Sequence, residues 1–66
     1  MKFYGLVFGD WQGIDWDGLR DVFYKEKDCE QRKEELEWEL SSEEYYEVWE
    51  MDEEQVKEYW GDLKIS

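Results

Sequence analysis

From Glu34 to Val56 the chain carries eleven acidic residues and no Lys or Arg, with Trp38, Tyr45, Tyr46, Trp49 and Met51 set among the acids. A like-charged run without aromatics stays solvated and disordered, because it has too little apolar area to offset the entropy of ordering. An aromatic or aliphatic residue every few positions changes that balance. Such a run can fold, and a folded acidic surface holds its carboxylates in fixed places where a strongly basic partner can meet them.

The rest of the composition bears on whether folding is affordable. A 66-residue chain is one domain, residues 1–66, near the lower limit for independent folding. Its net charge of −12 opposes compaction. Mean hydropathy of −1.04 alone suggests disorder, but five Trp, five Tyr and three Phe supply large apolar areas for a small core. Pro, common in linkers and tails, is absent. Cys29 is the single cysteine, so no intramolecular disulfide forms, which fits a reducing compartment. No charged-then-apolar leader opens the sequence. No apolar stretch approaches the roughly 20 residues that cross a bilayer. The expectation is a cytoplasmic protein whose acidic surface is repelled by anionic membranes and by nucleic acid itself.

Pattern along the chain predicts an α+β domain in the order β-β-α-β-α: a small three-stranded, mainly antiparallel sheet, one long helix and a short C-terminal helix. Phe3 to Phe8 is β-rich and stops at Gly9-Asp10. Gly9 to Gly18, with three Gly and three Asp, predicts a long hairpin loop. Leu19 to Tyr24 alternates as a second strand. Asp28 to Leu40 predicts the long helix, starting near Lys25 or at an Asp28…Gln31 capping box, with Cys29, Arg32 or Lys33, Leu36 and Leu40 on one face and Leu36 the best-buried aliphatic. Tyr45 to Met51 predicts a third strand, with Tyr46 and Val48 on one face and Tyr45, Glu47, Trp49 and Met51 on the other. Asp52, with Gln55 at the box position, predicts a short last helix. Its apolar stripe is Val56, Tyr59, Trp60 and Leu63, and Gly61 weakens its end.

Asp21-Val22-Phe23, Lys25-Glu26-Lys27, Tyr46-Glu47-Val48 and Asp52-Glu53 fall in an order that resembles very small proteins of low-GC Gram-positive bacteria and their phages. The likeness spans Phe3 to Glu53. It departs at the helix start, where Tyr24 and Lys25 replace the usual Ser or Thr cap. It implies a strand-helix-strand order and no activity.

Enzymatic chemistry has little to build on. There is no His, and Cys29 has no partner base. No Gly-rich loop leads into a helix with a Lys and a Ser or Thr. A paired-carboxylate hydrolase needs a cleft that so short a chain has little room for. In Asp15-Trp16-Asp17-Gly18 the calcium-loop register fails, because position 12 of such a loop would be Tyr24. No enzyme, metal site or cofactor is expected. Cys29 reads as a small core hydrophobe. Trp11 and Trp16 either complete the core or form an exposed anchor, and for so short a domain the core is preferred.

The acids have more to offer. Glu26, Glu30, Glu34 and Glu37 form one ridge on the long helix, with Glu35 and Glu39 beside it. Positions four apart on a helix repeat at about 6 Å. Phosphates along a DNA strand repeat at roughly 6–7 Å through space. Glu43, Glu44, Glu47 and Glu50, followed by Asp52, Glu53 and Glu54, continue the negative surface. In charge and size the chain resembles phage-encoded DNA-mimic proteins, among them inhibitors of the nucleoid protein HU, of uracil-DNA glycosylase and of defence nucleases. The resemblance implies an inhibitor whose carboxylates occupy the DNA-binding site of a basic host protein, HU or a similar nucleoid-associated protein first, in the host cytoplasm. The alternative is a small adaptor or homodimer that pairs through the Tyr45, Trp49 and Met51 face.

Overall fold

The computed structural model describes residues 1–61 and 65. Strand β1 spans Phe3–Asp10, β2 Gly13–Phe23, helix α1 Glu26–Glu37, β3 Tyr45–Met51 and α2 Glu53–Tyr59. The three strands form one antiparallel sheet in the order β2-β1-β3, so the expected α+β class and element order hold.

Strand alternation gives the sheet two apolar faces, and each face takes one helix. Leu6 and Phe23, with half-buried Tyr4, Tyr46 and Val48, meet Cys29 and Leu36 of α1. Phe3, Val7, Leu19, Val22 and Met51 meet Val56 of α2, and Ile14, Trp16, Trp49, Trp60 and Ile65 pack around them. Leu63 of the expected α2 stripe lies outside the described residues.

The expected long loop from Gly9 to Gly18 is instead strand. β1 runs on to Asp10, and β2 begins at Gly13 after a two-residue turn, Trp11-Gln12. Asp10 Oδ1 accepts the Gln12 N–H at 2.9 Å, and Gly13, at φ 119°, supplies the positive φ that closes the turn. Ile14 and Trp16 turn inward while Asp15 and Asp17 face solvent, a period-two pattern that the flanking glycines mask. The ladder is irregular. Leu6 pairs with Asp21 but Val7 with Leu19, and Gly9 pairs with Ile14, so β2 bulges twice. One bulge carries Arg20 over the Phe8 ring, 5.2 Å from its centroid. The other seats Gly18 against the Phe8 carbonyl, where no Cβ would fit.

Helix α1 begins near Lys25, the earlier of the two expected starts, and stops short of the expected Leu40. It starts at Glu26 after Lys25, which gives no side-chain cap, and the Asp28…Gln31 box does not form. It ends at Glu37, and tight turns close it: Glu39 N–H to Leu36 O at 3.1 Å and Leu40 N–H to Glu37 O at 3.3 Å. Acids crowd a C-terminus that already carries negative partial charge, and its last turn has no basic residue to offset them. Leu36 is half-buried; among the described residues the fully buried aliphatics are Leu6, Val7 and Val22 on the sheet. Asp52 and Gln55 form the expected capping box. Gly61, at φ 77°, donates to Val56 O at 2.9 Å and terminates α2 rather than weakening it.

Candidate functional site

Buried Cys29 and half-buried Leu36 fix one side of α1 against the sheet. That orientation turns Glu26, Glu30, Glu34 and Glu37 outward, all exposed, within a strip of about 80° of the helix circumference. A twelve-residue helix packed on the sheet carries this strip. The ridge has cations at its flanks. Lys27 shares a shallow depression with Glu30, Gln31 and Glu34, and half-buried Lys33 lies on the side towards the sheet. Toward the C-terminal end, Glu34 and Glu37 border Trp38 instead.

A stretch without Lys or Arg in sequence is not one without cations in space. Arg32 Nη1 donates to Glu35 Oε2 at 3.0 Å, Lys2 Nζ to Glu50 Oε2 at 3.2 Å, and Lys57 Nζ lies 3.8 Å from Glu53 Oε1. These pairs are exposed, so each adds little to stability, but each occupies a carboxylate that a partner would have to win over. Glu44 is occupied differently. Its Oε1 accepts the Ser41 N–H at 2.9 Å, and this bond, with help from the Ser41 hydroxyl, holds its carboxyl below the usual range.

The ten acids singled out from the sequence therefore do not share one surface. Glu26, Glu30, Glu34 and Glu37 stand together on α1. Glu35 lies on another side of the helix, paired with Arg32. Glu39 follows in the turn, and Glu43 and Glu44 precede β3. Glu47 sits opposite Val7 on the α2 side of the sheet, whereas Glu50 sits opposite Tyr4 on the α1 side. Strand alternation splits what looked continuous.

The sequence pattern also misplaced several aromatics. Trp38, one of the residues expected to let the acidic run fold, is the C-cap of α1 and 90% exposed. Its position was readable: nine residues after Cys29, a helix has turned to the opposite side. Trp11 and Trp16 part company. Trp11 is 73% exposed at the turn tip, contrary to the preferred core placement, while Trp16 is half-buried and packs against the core. The face expected for an adaptor is largely filled by the chain itself. Met51 is 1% exposed and Trp49 meets Trp16 edge-on, whereas Tyr45, its ring over Gly9, stays at the surface.

Cys29 has the environment of an inert thiol. Burial, and then the charges of Asp21, Glu30 and Glu26, push it up to about 12 against a small opposing effect of Lys33. Among the described residues, no group of three or more His, Cys, Asp or Glu is placed to hold a metal ion. Among them too, no helix is long and apolar enough to cross a membrane. Comparison with protein-family models, with curated proteins and with solved structures gave no match.

Proposed function

We propose that the chain is a DNA-mimic inhibitor. The ridge Glu26, Glu30, Glu34 and Glu37 occupies the DNA-binding surface of a basic protein in the cytoplasm of a phage-infected host. A nucleoid-associated protein such as HU is the preferred target, because such proteins grip a bent, charged shape with little base readout. The observation that carries the proposal is the ridge itself: four exposed glutamates on one side of a helix, of which Glu26, Glu30 and Glu34 repeat at about 6 Å along the axis, near the phosphate repeat. Inhibition is competitive. Carboxylates take the place of phosphates as partners for Lys and Arg, and the two helices packed on the sheet keep them in register.

Replacing Glu30, Glu34 and Glu37 together with Gln tests this while keeping shape and helix propensity. Against purified HU, binding should weaken by about 1–3 kcal/mol per well-desolvated pair and less at the rim. The salt dependence should become shallower, and DNA should compete with the wild-type chain for the same site. A folded triple variant that displaces DNA from HU at unchanged concentration rules this ridge out.

A further inference from the structure

We propose that Trp38 is a stacking platform for an arginine side chain of the basic partner, with Glu34 and Glu37 drawing the guanidinium onto the indole. The inference rests on the DNA-mimic proposal in taking the partner to be basic; what it adds is a residue and a mode of contact.

Three observations converge on Trp38. It is 90% exposed, the most exposed large apolar side chain among the described residues, although Trp16, Trp49 and Trp60 pack against the core. The apolar side of α1 is the Cys29 and Leu36 side, so the helix that carries Trp38 turns it away from the sheet. It also shares an open surface depression with Glu34 and Glu37.

Electrostatics select the occupant. The C-terminal end of a helix carries negative partial charge, and this one has no basic residue in its last turn. Glu34 and Glu37 add to that field, and Glu39 follows in the turn. An apolar neutral group gains nothing from such a field, and a second copy of a chain with net charge −12 is repelled by it. A cation is attracted, and the face of an indole is the strongest aromatic platform for one. Arginine suits the place better than lysine. Its planar guanidinium stacks on an aromatic ring while its N–H fork still reaches carboxylates at the edge.

The test titrates the full chain calorimetrically with short oligoarginine and oligolysine peptides over a range of salt. Trp38 is exposed, so Trp38→Ala leaves the fold intact, which circular dichroism checks. The variant should bind oligoarginine roughly five- to thirty-fold more weakly, with an unchanged salt slope. Oligolysine should lose less, and Trp38→Phe should restore most of the arginine binding. Glu34→Gln with Glu37→Gln should weaken both peptides and flatten the salt slope. If the wild-type chain binds oligoarginine and Trp38→Ala binds it equally well, the stacking role is overturned and the DNA-mimic proposal stands. If the wild-type chain binds neither peptide, both fall. A wild-type dimer in sedimentation that Trp38→Ala dissociates would assign the residue to self-association and overturn the proposal.

Discussion

Trp16 lies flat on Tyr59, with ring centroids 4.3 Å apart and planes 5° from parallel. The same indole meets Trp49 edge-on at 4.9 Å and 89°. One side chain of the edge strand β2 thus joins β3 to the seven-residue helix α2. A helix that short is marginal alone and is held by its packing. A double-mutant cycle of Trp16→Ala and Tyr59→Ala, read by urea unfolding, should show a coupling of about 0.5–1.5 kcal/mol. Additive effects within error would mean that the stack contributes nothing to docking α2.

The two apolar faces of the sheet differ from the helix that covers one of them. Leu6 is fully buried between β2 and β3 under α1, whereas Leu36 on α1 is half-buried. Leu6→Ala should cost about 2–5 kcal/mol, much of the stability of so small a domain. Leu36→Ala should cost less. Chemical denaturation of the two variants would refute this ordering if Leu36→Ala were the more destabilised.

Two glycines test the bulged ladder. A Cβ at Gly18 would collide with the Phe8 carbonyl oxygen, and backbone cannot swing aside. A Cβ at Gly9 would meet the Tyr45 ring at 2.7 Å, and a ring at the surface can move. Gly18→Ala should therefore destabilise by about 1–3 kcal/mol or more, and Gly9→Ala by less. Equal melting temperatures for the two variants would contradict the bulge geometry.

These glycines also mark where the sequence misleads. Three glycines and three aspartates between Gly9 and Gly18 look like a loop, because Gly and Asp dominate turns. Here Gly9 makes room for a ring, Gly18 makes room for a carbonyl, and Gly13 alone serves the turn. The inward pair Ile14 and Trp16 was the better guide. The third strand and the Asp52…Gln55 box were legible because each rests on a local pattern that nothing nonlocal opposes. The acidic ridge was legible only within α1, where 3.6-residue spacing fixes a face. Beyond it, Lys2 reaching Glu50 across the sheet and Ser41 holding Glu44 are contacts that a list of charges does not contain.

Cys29 should be inert in the folded chain. It is fully buried, and its thiol is pushed from 9.0 up to about 12 by burial and then by Asp21, Glu30 and Glu26, with Lys33 opposing. A thiol raised in the folded state stays protonated while the unfolded chain ionises. Its contribution to stability is therefore complete below pH 9 and is lost as pH rises toward about 12. In mild alkali, labelling by a thiol reagent should be limited by opening of the fold, and Cys29→Ala should lose stability less steeply with rising pH. Labelling as fast as that of a free thiol would show that α1 does not seal the site.

Glu43 and Glu44 are neighbours with opposite consequences. Both add charge to a chain of net −12. Glu43 is exposed in the turn, whereas Glu44 accepts the Ser41 N–H at 2.9 Å. Removing a charge from a self-repelling chain stabilises it, and added salt screens that gain away. At low salt Glu43→Ala should therefore raise the melting temperature, with the advantage fading as salt is added. Glu44→Ala removes the same charge but leaves the Ser41 N–H without its acceptor, so it should lower the melting temperature at neutral pH. The Glu44 carboxyl is held below its ordinary 4.5, first by the Ser41 backbone bond and then by the Ser41 hydroxyl. Its stabilising contribution is thus present above pH 4.5 and lost as pH falls through the folded value. The deficit of Glu44→Ala should shrink on acidification over that range. Thermal melts in which both variants gain equally at low salt would show that repulsion outweighs the Ser41 bond and that the turn before β3 is not held by it.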